Sequence, residues 1–320
     1  MKLNILNFNN YLNKNYLFEN NPSICVAVSG GPDSMALVLL LKHWIRLKRG
    51  KLIGLIVDHR MRYNSLQEAK STFQYLKKLN VESKILRVNI SKVKKNNMNE
   101  ARINRYELLT NFCKKNNILH LFFGHHKNDN LETFLNRKIA GSDFEGLQSI
   151  SANIIYNNIN IIRPLLKYSK KQILEYNIKN KIDYIIDPSN INLNFTRPAI
   201  RNYLENANKN FINNIENDFK IINKYYSPYK FMISEVLIKN LVIVKPNLIK
   251  IDYYKFKKYN NLISEKIIKK IYSFVCKNSS HLRSSKIKIL VDHIKKDNLR
   301  NYNLKGMVAK RDQNFLTFSK

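Results

Sequence analysis

Six consecutive residues, Ser29-Gly30-Gly31-Pro32-Asp33-Ser34, set two hydroxyls, two glycines and a carboxylate between two apolar runs. Amides that leave a strand and open a helix converge on an anion, and glycine lets the backbone approach it closely. Phosphate is the anion expected. Pro32 near the helix start wastes no hydrogen-bond donor. A carboxylate beside a phosphate repels it unless a cation intervenes, so Asp33 reads as a Mg2+ ligand, with a helix N-cap as the plain alternative. The segment lacks the Gly-Lys-Ser/Thr ending of a Walker loop, which argues against a kinase or GTPase.

Further candidates lie downstream. Asp129 and Glu132 are three apart in a helical stretch, so both carboxylates project from one face and suit an ammonium group or a metal. His125 and His126 are adjacent, face different directions and make no metal site together. Arg102 and Arg105 share a helix face suited to phosphate oxygens, or to plain solvation. Asp58 and His59 close a strand, where His59 is a candidate ligand contact or an ordinary structural histidine.

These residues need a scaffold. From Ser23 to about Pro164, short apolar runs (Ile24 to Val28, Leu52 to Val57, Ser83 to Val88, Leu119 to Phe123, Asn160 to Ile162) alternate with longer helical stretches. The helices are expected near Ser34 to Leu47, Leu66 to Leu79, Asn99 to Asn116, Asn130 to Ile139 and Ser169 to Asn180. That alternation predicts an α/β fold, a Rossmann-like parallel sheet with flanking helices, whose ligands sit beyond the strand carboxyl ends. After Asp187-Pro188-Ser189-Asn190 the pattern changes to basic, mainly helical stretches. The domains expected are 1–205, catalytic, and 206–320, smaller, basic and mostly helical. A connecting helix is expected over Arg201 to Tyr226, another over Ser264 to Cys276, and a terminal hairpin around Asp312-Gln313-Asn314.

The chain of 320 residues carries 56 Lys and Arg against 23 Asp and Glu, a formal charge of +33 that points to a polyanionic partner. Codon bias toward lysine accounts for part of the excess, since asparagine and isoleucine are also abundant. Cys25, Cys113 and Cys276 form no Cys-x-x-Cys pair, which disfavours a disulfide framework or zinc ribbon. A reducing cytoplasm, or an organelle stroma or matrix, is the compartment expected. The longest strongly apolar run, Met35 to Leu41, is too short for a membrane span, and Met1 to Tyr16 lacks a signal-peptide pattern.

The hexapeptide resembles the signature of the PP-loop ATP pyrophosphatases. Four more segments resemble the tRNA(Ile)-lysidine synthetases in order and spacing: Asp58-His59-Arg60-Met61-Arg62, Asn99-Glu100-Ala101-Arg102 through Arg105-Tyr106, Gly124-His125-His126 through Glu132-Thr133, and Arg163-Pro164-Leu165-Leu166. The resemblance covers roughly Cys25 to Arg201. It implies that Ser29 to Ser34 hold the β,γ-phosphates of ATP with Mg2+ on Asp33, and that Asp58 and His59 line adenine and ribose. It also places Arg102 and Arg105 near phosphate, and Arg197 and Arg201 near the substrates. The implied reaction is adenylation of the wobble cytidine of tRNA(Ile) with a CAU anticodon, then attack by free L-lysine. Asp129 and Glu132 would hold that lysine, and Glu132, Asp129 or His126 would take its proton, since an amine of pKa ~10.4 arrives protonated. The sequence admits a homodimer. Its length is similar to that of shorter family members with one appended domain.

The chain departs from the family pattern at Asn128 and Asn130, where an aspartate and a glutamine are expected, and at Ala140, Asp143 and Pro198. These changes put in doubt the geometry around the wobble base. In the basic half, Tyr253-Tyr254-Lys255-Phe256-Lys257-Lys258-Tyr259 mixes lysine with aromatics as RNA-binding surfaces do, although amphipathic packing yields the same letters. A superfamily rival, a tRNA thiolase, requires paired cysteine thiols that the sequence does not offer. A non-catalytic RNA-binding descendant is the rival of a different class.

Overall fold

The computed structural model describes residues 2–60, 64–89, 98–148, 150–185, 196–276, 282 and 284–320. The chain divides into two compact units, Met1–Ile222 and Asn223–Lys320.

The first unit opens with α1 (Ile5–Asn15) and then alternates β1 (Ser23–Val28), α2 (Pro32–Leu47), β2 (Lys51–Asp58), α3 (Ser65–Lys78), β3 (Glu82–Arg87), α4 (Met98–Lys115), β4 (His120–Phe122) and α5 (Lys127–Ile139). A short α6 (Phe144–Leu147), β5 (Asn153–Tyr156), β6 (Ile159–Ile162), α7 (Lys170–Lys179) and α8 (Thr196–Asn206) follow. The six strands are ordered β3-β2-β1-β4-β6-β5, all parallel neighbours except the antiparallel β5 and β6. Side chains alternate across a strand, so Ile24, Val26 and Val28 enter the core under α2 while Cys25 enters the one under α4. Both faces are covered, and β1 accordingly reads as a nearly continuous apolar run.

The expected parallel α/β architecture is the one found. α1 and β5 were not anticipated: α1 is polar on one side, and β5 is an edge strand of four residues. The single connecting helix expected over Arg201 to Tyr226 is two helices, α8 and α9 (Lys209–Asn240). They part at Ala207-Asn208, where the Asn208 side chain accepts from the Phe211 amide at 2.7 Å and starts the new helix.

The second unit joins the carboxyl part of α9 to β7 (Leu241–Lys245), β8 (Leu248–Asp252), α10 (Tyr253–Lys257), α11 (Asn261–Cys276) and α12 (Ser284–Lys295). β9 (Asn301–Leu304), β10 (Met307–Asp312) and β11 (Phe315–Ser319) complete it. Alongside the helices runs a five-stranded antiparallel sheet, β7-β8-β11-β10-β9, one face of which packs on α11 and α12. The terminal hairpin is β10–β11, turning at Gln313, whose φ is +47°. Tyr253 and Phe256, offered above as RNA contacts, are 1% and 0% exposed and belong to this core, so for them the amphipathic reading is the correct one.

Candidate active site

The sheet reverses its order between β1 and β4, and a crevice opens at the carboxyl ends of two such diverging strands. Ser29 to Ser34 follow β1; Gly124 to His126 follow β4. Gly30 has φ +80°, and a Cβ there would stand 2.5 Å from Thr72 Oγ1, so both conformation and space require glycine. The Ser29 amide donates to Ser34 Oγ at 3.2 Å, and Ser34 Oγ donates to the Gly31 carbonyl at 2.9 Å. The loop therefore holds its own shape, with the first-turn amides of α2 at its mouth, where the helix dipole favours an anion. Gly31 is the N-cap of α2, so Asp33 does not take the plain capping role. A Cβ on Gly124 would meet the Asp33 carbonyl carbon and the Ser34 nitrogen at 3.1 Å. Glycine at 124 lets the turn after β4 rest directly on the loop Ser29 to Ser34.

That contact assembles a charged centre. Both Asp33 carboxylate oxygens lie 2.8 Å from Lys170 Nζ, and Oδ1 is 3.8 Å from His126 Nε2. His126 Nε2 stands 3.6 Å from Asp129 Oδ2, which accepts the His126 amide at 2.9 Å. His126 is buried. One imidazole thus spans two carboxylates, one on the loop and one on α5. Glu132, one turn further along α5, is buried and forked by Arg201, whose Nε and Nη2 donate at 2.8 and 3.1 Å. The Glu132 hydrogen bond and charge outweigh burial and raise the Arg201 pKa further. Arg201 engages one lone pair on each Glu132 oxygen and leaves acceptor capacity on both.

A second cluster lies beyond β2, β4 and β6. The Asp58 carboxylate is buried and accepts from the Arg60 amide at 3.0 Å and from Ser65 Oγ at 2.8 Å, which fixes the turn carrying His59. Burial, then the charge of Arg105, lowers the His59 pKa, while Asp58 opposes them. The guanidiniums of Arg102 and Arg105 lie 5.5 and 5.9 Å from the Tyr106 ring centroid. Arg163, 2% exposed, donates to Tyr106 Oη at 3.1 Å and to the Ser151 carbonyl at 2.8 Å. Burial alone would raise the Tyr106 pKa, but Arg163, with Arg102 and Arg105, brings it below the ordinary phenol value.

The structure thus brings together Asp33, His126 and Asp129, places Glu132 with Arg201, sets Arg102 and Arg105 around Tyr106 and puts Arg105 near His59. Met61, Arg62, Asp187 to Asn190 and the side chains of Asn99 and Arg197 lie outside the described residues. Sequence reasoning missed Lys170 and passed over Arg163 as a site residue. Lys170 carries no motif of its own; its only local signal is a basic residue directly after the helix cap Ser169. The altered positions have ordinary partners. Asn128 Oδ1 accepts the Lys170 amide at 3.0 Å, Asn130 Oδ1 accepts the Ile150 amide at 2.7 Å, and Asp143 caps α6 through the Gly146 amide at 2.7 Å. Pro198 sits in the first turn of α8, where no amide donor is required.

Cys25 and Cys113, far apart in sequence, meet in the core, both 0% exposed; the Cys113 thiol and burial push the Cys25 pKa up. A buried, protonated thiol is inert, which disfavours sulfur relay. Among the described residues no helix is long and apolar enough to cross a membrane.

Known proteins bear on this geometry. A family model described as a PP-loop domain matches residues 4–208. The tRNA(Ile)-lysidine synthase of Orientia tsutsugamushi is 38% identical over 198 residues, 62% of this chain and 44% of its own. That of Rickettsia akari is 32% identical over 295 residues, 92% of this chain and 68% of its own. The chain thus spans under half the length of the first relative and about two thirds of the second. A solved U34-tRNA thiolase of Methanococcus maripaludis, at 18% identity and TM-score 0.57, covers 69% of this chain and 78% of its own and shares the fold. On the match over residues 4–208 and the similarity over 92% of its length, the chain belongs to the tRNA(Ile)-lysidine synthase family of PP-loop proteins.

Proposed function

We propose that the protein is a carbon–nitrogen ligase that joins free L-lysine to C2 of the wobble cytidine of tRNA(Ile) with a CAU anticodon, consuming ATP. The observation that carries this reading is the junction at the sheet's reversal point. There the phosphate loop and the α5 carboxylate pair are linked through His126, within 3.8 Å of Asp33 and 3.6 Å of Asp129. A two-step ligase needs its ATP end and its amine end at one reacting carbon.

In the first step the cytidine C2 oxygen attacks the α-phosphorus, an O–P bond forms, and pyrophosphate leaves with the bridging electron pair. Backbone amides and the hydroxyls of Ser29 and Ser34 hold its oxygens at the α2 N-terminus, which stabilises the charge that develops there. In the second step the lysine ε-nitrogen attacks C2, and AMP departs with its oxygen. Asp129 and Glu132 orient the incoming ammonium. His126, Asp129 or Glu132 takes its proton, because only the neutral amine has an electron pair to donate. Arg102 and Arg105 offer cations for phosphate, Asp58 and His59 the wall beside adenine and ribose, and Arg197 and Arg201 contacts toward tRNA and lysine.

Asp33 suits Mg2+: it is a hard oxygen donor, partly open at the loop, and Mg2+ is commonly held by one or two carboxylates and the substrate's phosphates. Among the described residues no three His, Cys, Asp or Glu side chains form a metal cage, and phosphate oxygens of the bound substrate would supply further ligands. When bound, Mg2+ neutralises charge on the polyphosphate. The catalytic domain reads as 1–205, and the basic remainder supplies surface for a tRNA backbone. The test is to incubate purified protein with ATP, labelled lysine and tRNA(Ile) bearing a CAU anticodon. Label in the tRNA, dependent on ATP, is expected; tRNA binding with no incorporation would instead identify a non-catalytic RNA-binding descendant.

A further inference from the structure

We propose that Lys170 is a catalytic residue of the ATP half-reaction, its ammonium exchanging between the Asp33 carboxylate and the β,γ-phosphates; this rests on the ATP-dependent reading above. The loop Ser29 to Ser34 holds no cation of its own, so amides, hydroxyls and the helix dipole face the polyphosphate charge. Lys170 Nζ stands at that mouth, 2.8 Å from both oxygens of Asp33.

Its backbone is pinned from three sides. The Lys170 amide donates to Asn128 Oδ1 at 3.0 Å, and the Ser169 amide donates to Gln172 Oε1 at 3.0 Å. Asn177, fully buried one face along α7, donates to the Pro32 carbonyl at 3.0 Å and clasps α7 to the loop. The side chain itself is 34% exposed. A fixed Cα with a flexible four-carbon stem and a point charge suits movement between two anions. With Asp33 holding Mg2+, the Lys170 ammonium would be repelled from the same oxygens, and its flexible stem would let it pair with a phosphate oxygen instead. Asn128 serves this arrangement: it holds the Lys170 amide as a carboxylate would, yet offers the ammonium no competing counter-ion. With the family's aspartate replaced by Asn128, Asp33 is the one carboxylate that pairs with the Lys170 ammonium among the described residues.

The experiment is calorimetric titration of the full chain with inorganic pyrophosphate at a series of Mg2+ concentrations, for the wild type, Lys170→Met and Lys170→Arg. In Lys170→Met, pyrophosphate affinity should fall about tenfold or more, the loss of one charge-assisted hydrogen bond. The Mg2+ concentration that half-saturates the effect should fall as well, because Asp33 is released from its ammonium. Lys170→Arg should retain most of the affinity. Unchanged affinity in Lys170→Met overturns the proposal, as does a loss of affinity with a rise in the Mg2+ requirement, which marks a structural prop. Should the wild type bind no pyrophosphate, the ATP reading itself fails, an outcome distinct from a variant that binds as well as the wild type.

Discussion

Two carboxylate–cation pairs start from the two elements that His126 bridges, the loop and α5, and they differ in burial, partner and freedom. Glu132 and Arg201 join α5 to α8 with a two-pronged contact, and the Glu132 side chain is 5% exposed. Asp33 and Lys170 join the loop to α7 at 26% and 34% exposure. Coulomb attraction at such distances is strongly weakened by water, so the second pair adds at most about 1 kcal/mol, whereas removing one partner of a buried pair costs several. The same chemistry therefore serves two ends. The buried fork ties α5 to α8, and the half-open point charge is cheap to break.

The sharpest break of this comparison is Asp33→Ala. Adenylate formation, followed by pyrophosphate release from ATP and tRNA, should be lost, while the melting temperature and tRNA affinity stay close to wild type. A large drop in melting temperature would show that the Asp33–Lys170 pair is a structural tie and not an exchangeable one. Glu132→Gln is the reciprocal change. It leaves the half-buried Arg201 without its charge partner, and we expect a loss of about 2–3 kcal/mol in unfolding free energy, less than for a fully buried pair because Arg201 is 36% exposed. Denaturant unfolding measures it, and a loss under 1 kcal/mol would place this pair with the exposed ones.

The contrast between the pairs also marks what could be read from the sequence. The form of the loop Ser29 to Ser34 was legible because it rests on local rules: glycines where the backbone must bend or approach, hydroxyls and a carboxylate at a helix start. The parallel sheet was legible because fully buried strands are apolar throughout, as in Ile24 to Val28. Asp33, Asp129 and Glu132 were legible as carboxylates at helix starts and on a helix face, but the cations that pair with Asp33 and Glu132 were not. Arg201 and Lys170 reach them across 69 and 137 positions of chain, to Glu132 and Asp33 respectively, and no local pattern encodes such a meeting. The antiparallel sheet of the second unit was obscured for another reason. Strands such as Leu248-Ile249-Lys250-Ile251-Asp252 are short and bury alternate residues, and lysine on their open face resembles the lysine of the amphipathic helices around them. Tyr253 and Phe256 show the cost of reading composition without burial.

A third carboxylate extends the comparison to its exposed extreme and carries the smallest expected effect. Asp297 follows α12 at 48% side-chain exposure and receives Lys257, Tyr253 and Arg311, the last at 2.9 Å. Hydrogen bonds from Lys257 and Tyr253 hold its pKa at about 2, below the ordinary 3.8. A depressed carboxylate pKa means that the folded state binds its proton less readily than the unfolded chain. The contribution is therefore complete above pH 3.8 and disappears as pH falls through about 2. Asp297→Asn should remove that dependence: the gap in melting temperature between wild type and variant, constant from pH 5 to 7, should close between about pH 4 and pH 2. Water screens a group this open, so the gap should be smaller than the one opened by Glu132→Gln at neutral pH. A gap of equal size would mean that three converging donors can make an exposed carboxylate as structural as a buried fork, and burial alone would then no longer separate the fixed pair from the exchangeable one.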